Sequence, residues 1–330
     1  MERFALAAAV VLGFALTAAL CSLFVPLRRV LERREQQQPV QPEPPRPAPL
    51  RAPLWGGLCA AAGTVAAVGV GWLAACVGQP ELLGSEGRLM TRLLTALAGS
   101  LAFGAVGLAE DLARMRSPAA LGLRRDVRLL LEALAAAFVL LLLRAAGCLP
   151  RGLDVPGAGY VLLGSAVPFL WAVLMVALAE CARIAERDEG TVCGAAFVAM
   201  LALMMAEAGL GVPGLAVLPA ALAGALVALL LWAFPPARLG VGCCGSLLAA
   251  GAIGCIPLSL DMTSLTVPLA LPFWAAGGLL AAQLLCAKRT GKPLRCWVKK
   301  HKMSPETVFL CSFALSAVGY VLALALLRWC

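Results

Sequence analysis

Of 330 residues, 62% are hydrophobic and only 14% are charged, far from the balance of a soluble globular chain. The net charge of +9 would suit nucleic acid if the basic residues formed one patch, but 21 of the 27 lysines and arginines fall in alternate connections between apolar runs. Composition therefore excludes a soluble enzyme and a nucleic-acid-binding module, and makes lipid the solvent for most of the chain.

About ten apolar runs approach the roughly 20 residues that cross a hydrocarbon core. They cover residues 4–27, 54–77, 93–109, 129–143, 160–179, 191–208, 213–234, 245–260, 267–287 and 307–327. The first is longer than the apolar core of a signal peptide and is followed by Arg28, Arg29, Arg33 and Arg34, so a retained helix is expected. After it, residues 35–53 are rich in Gln and Pro and predict a flexible cytoplasmic loop. The basic connections, 28–52, 110–128, 180–190, 234–243 and 288–304, are assigned to the cytoplasm, which leaves both termini outside. No segment outside the runs is long enough for a second domain, so residues 1–330 are read as one polytopic membrane domain.

Most charged groups inside the runs have a simple account. Arg144 and Glu207 lie near outer helix ends, where snorkelling to the interface suffices, and Glu132 lies one turn inside the cytoplasmic end. In the ninth run Pro268, Pro272, Gly277 and Gly278 predict a bend that opens an apolar groove toward lipid. Cys21, Cys59, Cys76, Cys193, Cys255 and Cys311 sit in apolar runs as small hydrophobes, so no disulfide framework is expected. With one histidine, His301, and no C-x-x-C pair, neither is a zinc or haem site. No inverted repeat is visible, which counts against a transporter.

Acidic residues collect in the basic connections. Residues 107–114 read G-L-A-E-D-L-A-R, and residues 121–130 read L-G-L-R-R-D-V-R-L-L. Residues 180–194 read E-C-A-R-I-A-E-R-D-E-G-T-V-C-G, residues 242–247 G-C-C-G-S-L, residues 51–58 R-A-P-L-W-G-G-L, and residues 293–297 P-L-R-C-W. One reading of the acidic segments is solvated helix ends: Arg114 lies three and four residues beyond Asp111 and Glu110, and Glu180, Arg183, Glu186 and Glu189 recur every third residue like an ion-pair ladder.

Taken in order, the segments resemble the polyprenyl-phosphate sugar-1-phosphate transferases, also called the glycosyltransferase 4 family, and within it the phospho-N-acetylmuramoyl-pentapeptide transferase branch. Glu110 and Asp111 match the paired aspartates of G-x-x-D-D-x-x-K, Arg114 its lysine, and Arg128 a further lysine. Pro53, Gly56 and Gly57 match G-T-P-T-M-G-G. In N-x-x-N-L-x-D-G-x-D-G-x-x-x-G, Glu180 and Arg183 replace the asparagines, Glu186 and Glu189 match the aspartates, and Gly190 and Gly194 are kept. Gly242, Gly245, Ser246 and Leu247 fit G-D-x-G-S-L, but Cys243 replaces the aspartate that holds magnesium. Arg295, Cys296 and Trp297 replace three histidines, and His301 belongs to the basic loop beside Lys299, Lys300 and Lys302.

The resemblance implies an all-α integral membrane protein of about ten transmembrane helices in the bacterial plasma membrane. It also implies attack of undecaprenyl phosphate on a UDP-sugar, releasing UMP, with magnesium (Mg2+) as cofactor. By it, Glu110, Asp111, Glu186 and Glu189 are the candidate catalytic residues, Arg114, Arg128 and Arg183 contact substrate, and Asp111 and Cys243 mark the metal position. These residues are expected to meet in one cytoplasm-facing cleft. The altered positions favour a catalytically degenerate member linked to peptidoglycan synthesis. An active transferase with a changed site and an unrelated transporter or scaffold are the alternatives, and a homodimer is left open.

Overall fold

The computed structural model describes residues 2–36, 55–78, 87–116, 122–150, 152–155, 159–162, 164, 166–186, 190–212, 214–235, 237–290 and 304–327. Each of the ten apolar runs forms helix: α1 (Glu2–Gln36), α2 (Gly56–Gly78), α3 (Gly87–Arg116), α4 (Arg125–Ala145), α5 (Ala166–Ala185), α6 (Thr191–Gly209), α7 (Val217–Ala233), α8 (Gly242–Leu260), the pair α9 (Thr266–Leu269) and α10 (Leu271–Thr290), and α11 (Pro305–Leu327). Seven are long and apolar enough to cross a membrane alone, and the bent pair makes an eighth. α7 is shorter, at 17 residues, and α4 carries Arg128, Glu132 and Arg144. The described residues form an all-helical membrane protein apart from one hairpin. α1, with 35 residues, is about 50 Å long at 1.5 Å per residue, so it outruns a hydrocarbon core of about 30 Å. It continues through Gln36, the start of the expected loop, whose residues 37–53 lie outside the described residues.

The fifth run requires a correction. Tyr160 to Leu162 do not begin a helix but belong to β2 (Gly159–Leu162), which pairs antiparallel with β1 (Gly152–Val155) in the register Gly152↔Leu162 to Val155↔Gly159. Gly159 and Gly164 both have positive φ, which interrupts a helix, and apolar content alone does not separate strand from helix. The ninth run bends as expected, by 62° between Thr263–Leu269 and Leu271–Ala282. Pro272 lacks an amide proton and its ring opposes the carbonyl of Pro268, which accounts for the break at Ala270.

α8 is the axis of the bundle, with every residue from Gly242 to Ser259 buried. Lipid provides no hydrophobic drive between helices, so close packing has to supply the attraction, and small residues permit it. α3 lies along α8 with Gly99 against Cys255, Gly104 against Leu248 and Gly107 against the Cys243 carbonyl. α2 reaches α8 through Gly57 and Gly245, and the amides of Gly56 and Gly57 donate to the carbonyls of Gly240 (3.2 Å) and Val241 (2.9 Å). Two of the sequence motifs are thereby joined by backbone hydrogen bonds.

Gly107→Val tests this packing, because a Cβ there runs into the Cys243 backbone. Overpacking of this kind costs about 1–3 kcal/mol. A clear drop in melting temperature in detergent is expected, and an unchanged melting temperature would refute the close approach of α3 and α8.

Candidate functional site

The acidic motifs meet at one end of the bundle, the end that the charge distribution assigns to the cytoplasm. The end of α3 supplies Glu110, Asp111 and Arg114, the first turns of α4 supply Arg128 and Glu132, the end of α5 supplies Glu180, Arg183 and Glu186, and the start of α8 supplies Cys243.

Asp111 is joined to backbone. The N–H of Cys243 donates to its Oδ1 at 3.0 Å and that of Cys244 to its Oδ2 at 2.9 Å. The first amides of a helix have no partner within it, and the helix dipole favours negative charge there. Gly242, with φ of 72°, adopts the left-handed conformation that turns the chain into α8 just before these amides. Asp111 therefore caps the N-terminus of α8 from a different helix, and it is 1% exposed.

Around the cap, three arginines bridge five carboxylates. Arg114 Nη2 donates to Glu110 Oε1 at 2.8 Å, and its Nη1 lies 4.0 Å from Asp111 Oδ1 and 3.8 Å from Glu186 Oε2. Arg128 Nε donates to Glu180 Oε1 at 2.8 Å and lies 3.9 Å from Glu132 Oε1, while its Nη1 lies 3.6 Å from Glu110 Oε1. Arg183 Nη2 donates to Glu180 Oε2 at 2.6 Å. Cys243 Sγ donates to Glu186 Oε2 at 3.5 Å.

The structure thus brings together Glu110, Asp111, Glu186, Arg114, Arg128, Arg183 and Cys243. Glu189 and the segment containing Arg295, Cys296 and Trp297 lie outside the described residues. Among the described residues the ladder reaches only from Glu180 to Arg183 on α5, and Glu186 turns instead to Cys243 and Arg114. Two interface readings are also corrected. Glu132 is completely buried within reach of Arg128, and Glu207 is 1% exposed, so both carboxyls lie inside the helix packing rather than at the lipid surface. Arg144 is exposed, in keeping with snorkelling. Sequence reasoning did not place Glu132 and Glu180 among the site residues. Their signal was the helical spacing Arg128–Glu132 and Glu180–Arg183.

Among the described residues, no three or more His, Cys, Asp or Glu side chains are disposed to hold a metal ion. Burial pushes the Glu186 carboxyl above its ordinary range, an effect that Arg114 and the Cys243 thiol partly offset.

A polytopic helical bundle in which buried carboxylates of α3 and α4 meet half-buried ones of α5 at one end defines the class as an integral membrane protein with an acidic site at a bundle end. Residues 93–261 match glycosyl transferase family 4, so the chain belongs to that family. The match includes all seven site residues that the structure brings together. The phospho-N-acetylmuramoyl-pentapeptide-transferase of Geobacillus kaustophilus is 25% identical over 308 residues, 92% of this chain and 89% of the relative. The enzyme of that name from Mycobacterium tuberculosis H37Rv is 27% identical over 265 residues, 73% of this chain and 72% of the relative. That of Desulforudis audaxviator is 32% identical over 170 residues, 48% of this chain and 50% of the relative. With these relatives and its apolar helices, the chain is a multi-pass bacterial membrane protein.

The raised Glu186 pKa has a definite sign. The folded state holds the proton more tightly than the unfolded chain, so this group stabilises the fold at low pH, and the contribution is lost as pH rises through the elevated folded pKa. Glu186→Gln should therefore melt higher than the wild type above that pKa, and the two curves should converge toward acid. A variant that melts lower throughout would show that the pairing with Arg114 outweighs desolvation.

Proposed function

We propose that the chain is a family member without transferase turnover, which keeps the fold and meets undecaprenyl phosphate in the membrane as a non-catalytic participant in peptidoglycan synthesis. The observation that carries this reading is the state of Asp111: both its oxygens accept α8 backbone amides, and the Arg114 guanidinium lies 4.0 Å from its Oδ1.

Transfer of a phospho-sugar from a UDP-sugar to a lipid phosphate depends on positioning and on neutralising the charge that develops on the phosphates. The family assigns that work to magnesium, and the residues here do not fit the ion. Magnesium requires hard oxygen ligands in a near-ideal octahedron. Cys243 offers a buried thiol, a soft donor, where the family has a carboxylate. Glu110 is engaged by Arg114 and Arg128, and Glu180 by Arg128 and Arg183. Arginines occupy the charge-compensating positions, and a cation brought among them would face their repulsion.

The relatives' names supply the phospho-N-acetylmuramoyl-pentapeptide group for the test, and the family resemblance implies the UDP carrier, the undecaprenyl phosphate acceptor and the link to peptidoglycan. Given undecaprenyl phosphate, UDP-N-acetylmuramoyl-pentapeptide and magnesium, the purified protein should form no detectable lipid-linked product. Loss of one electrostatic stabiliser costs on the order of a hundredfold or more in rate, and several positions differ here. Cys243→Asp alone should not restore product, because Glu180, Arg183 and residues 295–297 still depart from the family pattern. Turnover by the unmodified protein, abolished in Asp111→Asn, would establish an active transferase instead.

A further inference from the structure

We infer that Cys21 and Cys59 form a reversible modification site: a small uncharged peroxide oxidises the two thiols to a disulfide that fastens α1 to α2. The inference rests on helix packing away from the acidic cluster, and it stands whether or not the chain turns over a substrate.

The helix register brings the two sulfurs together. α1 and α2 run antiparallel, with Ala9 against Gly71 and Thr17 against Gly63. One turn further along the same seam stand Cys21 on α1 and Cys59 on α2. The backbones are close there: the Thr17 nitrogen lies 3.2 Å from where a Cβ on Gly63 would stand. Such an approach is what a disulfide needs, since cysteines whose Cα atoms are more than about 7 Å apart cannot be bridged without moving the backbone. The two thiols share a hydrogen bond, and both are free and buried. Beyond them Phe24 and Trp55 stack with ring centroids 5.7 Å apart, closing the seam on the side that the charge distribution assigns to the cytoplasm.

The chemistry takes two steps. One sulfur attacks a peroxide oxygen, the O–O bond breaks, and the departing hydroxide takes the thiol proton as water, leaving a sulfenic acid. The other sulfur attacks the sulfenic sulfur, the S–O bond breaks, and the second hydroxide leaves with the second thiol proton. Two thiols and one hydrogen peroxide thus become one disulfide and two waters. A sulfenic acid condenses with a thiol when one is at hand, and the hydrogen-bonded partner is that thiol. Hydrogen peroxide carries no charge, so it enters an apolar seam from which charged cytoplasmic reductants are kept by the cost of desolvation. The bond acts on the acidic end through α2. Cys59 lies two residues beyond Gly57, whose amide, with that of Gly56, donates to the carbonyls of the turn into α8. Oxidation therefore fixes α1 to the helix that braces that turn.

The test uses the full-length protein in lipid nanodiscs, treated with hydrogen peroxide, then unfolded, alkylated and digested for mass spectrometry. The wild type should yield a peptide pair joined through Cys21 and Cys59, separated by reductant, and both residues should lose their reaction with the alkylating agent. Protein unfolded in SDS before peroxide is added should give that pair in severalfold lower yield, because the fold is what holds the sulfurs together. In Cys21→Ala the joined pair should be absent, with Cys59 recovered as free thiol or as its sulfinic or sulfonic acid. Cys193 of α6 and Cys244 of α8 lie within electrostatic reach of Cys21 and Cys59, so they are the rival partners. Disulfides of Cys21 with Cys193 or of Cys59 with Cys244 in place of the Cys21–Cys59 bond overturn the inference. So does a wild type whose Cys21 and Cys59 both survive peroxide, or an equal yield of the pair from unfolded protein. Should Cys21→Ala not fold, the comparison of native with unfolded wild type decides by itself.

Discussion

A helix surrounded by other helices within a membrane cannot leave its first amides to water, and the contact between Asp111 and the start of α8 answers that requirement. α8 is buried from Gly242 to Ser259, and the carboxylate of Asp111 accepts from the amides of Cys243 and Cys244. An unsatisfied backbone group in such surroundings costs several kcal/mol. The remaining arrangement follows from this contact. A carboxylate buried at the end of the central helix needs positive charge nearby, Arg114 supplies it from the next turn of α3, and the same guanidinium reaches Glu186 at the end of α5. Arg128 and Arg183 extend the network to Glu132 and Glu180. One end of the bundle is therefore fixed by charge, the rest by van der Waals packing.

The two kinds of contact depend on each other. Asp111 can reach the α8 amides only because Gly107, one turn earlier, lets the α3 and α8 backbones approach at Cys243. From α2, Gly57 meets Gly245, and the α2 amides bond to the carbonyls of Gly240 and Val241, which brace the turn leading into α8. The glycines of the motif segments thus have packing roles that hold whether or not any chemistry takes place. They explain how a resemblance can run along most of the chain while individual polar positions change.

Much of the fold was legible because lipid imposes a simple rule: a run of about 20 apolar residues is stable there as a helix. That rule placed all ten helical runs, and the proline pair in the ninth gave its bend. It failed at Tyr160 to Leu162, where an apolar segment beside glycines pairs as a strand, since hydropathy carries no information on backbone pairing. The site was legible in the order of its motifs, which brought Glu110, Asp111, Arg114, Glu186 and Cys243 to one place. Glu132 and Glu207 were misread because position along a helix gives depth in the membrane but not which face meets its neighbours. The Asp111 cap was illegible for a further reason: its donors are backbone amides, which every residue has, so no side chain marks them.

The cap also bears on what the surviving acidic residues mean. An aspartate at a motif position is commonly read as a sign of catalysis, but Asp111 has a structural task that accounts for its presence by itself. Its replacement by a neutral side chain would leave an amide of α8 without a charged acceptor, a loss of about 1–2 kcal/mol for a helix cap. Three residues without such a task depart from the family: Cys243 contributes its amide rather than its side chain to the cap, and Glu180 and Arg183 satisfy one another. Where backbone geometry demands an anion, the anion is present, and where only a metal would have demanded one, a thiol stands. That distribution is what the proposed absence of turnover would leave in a chain still required to fold in the membrane.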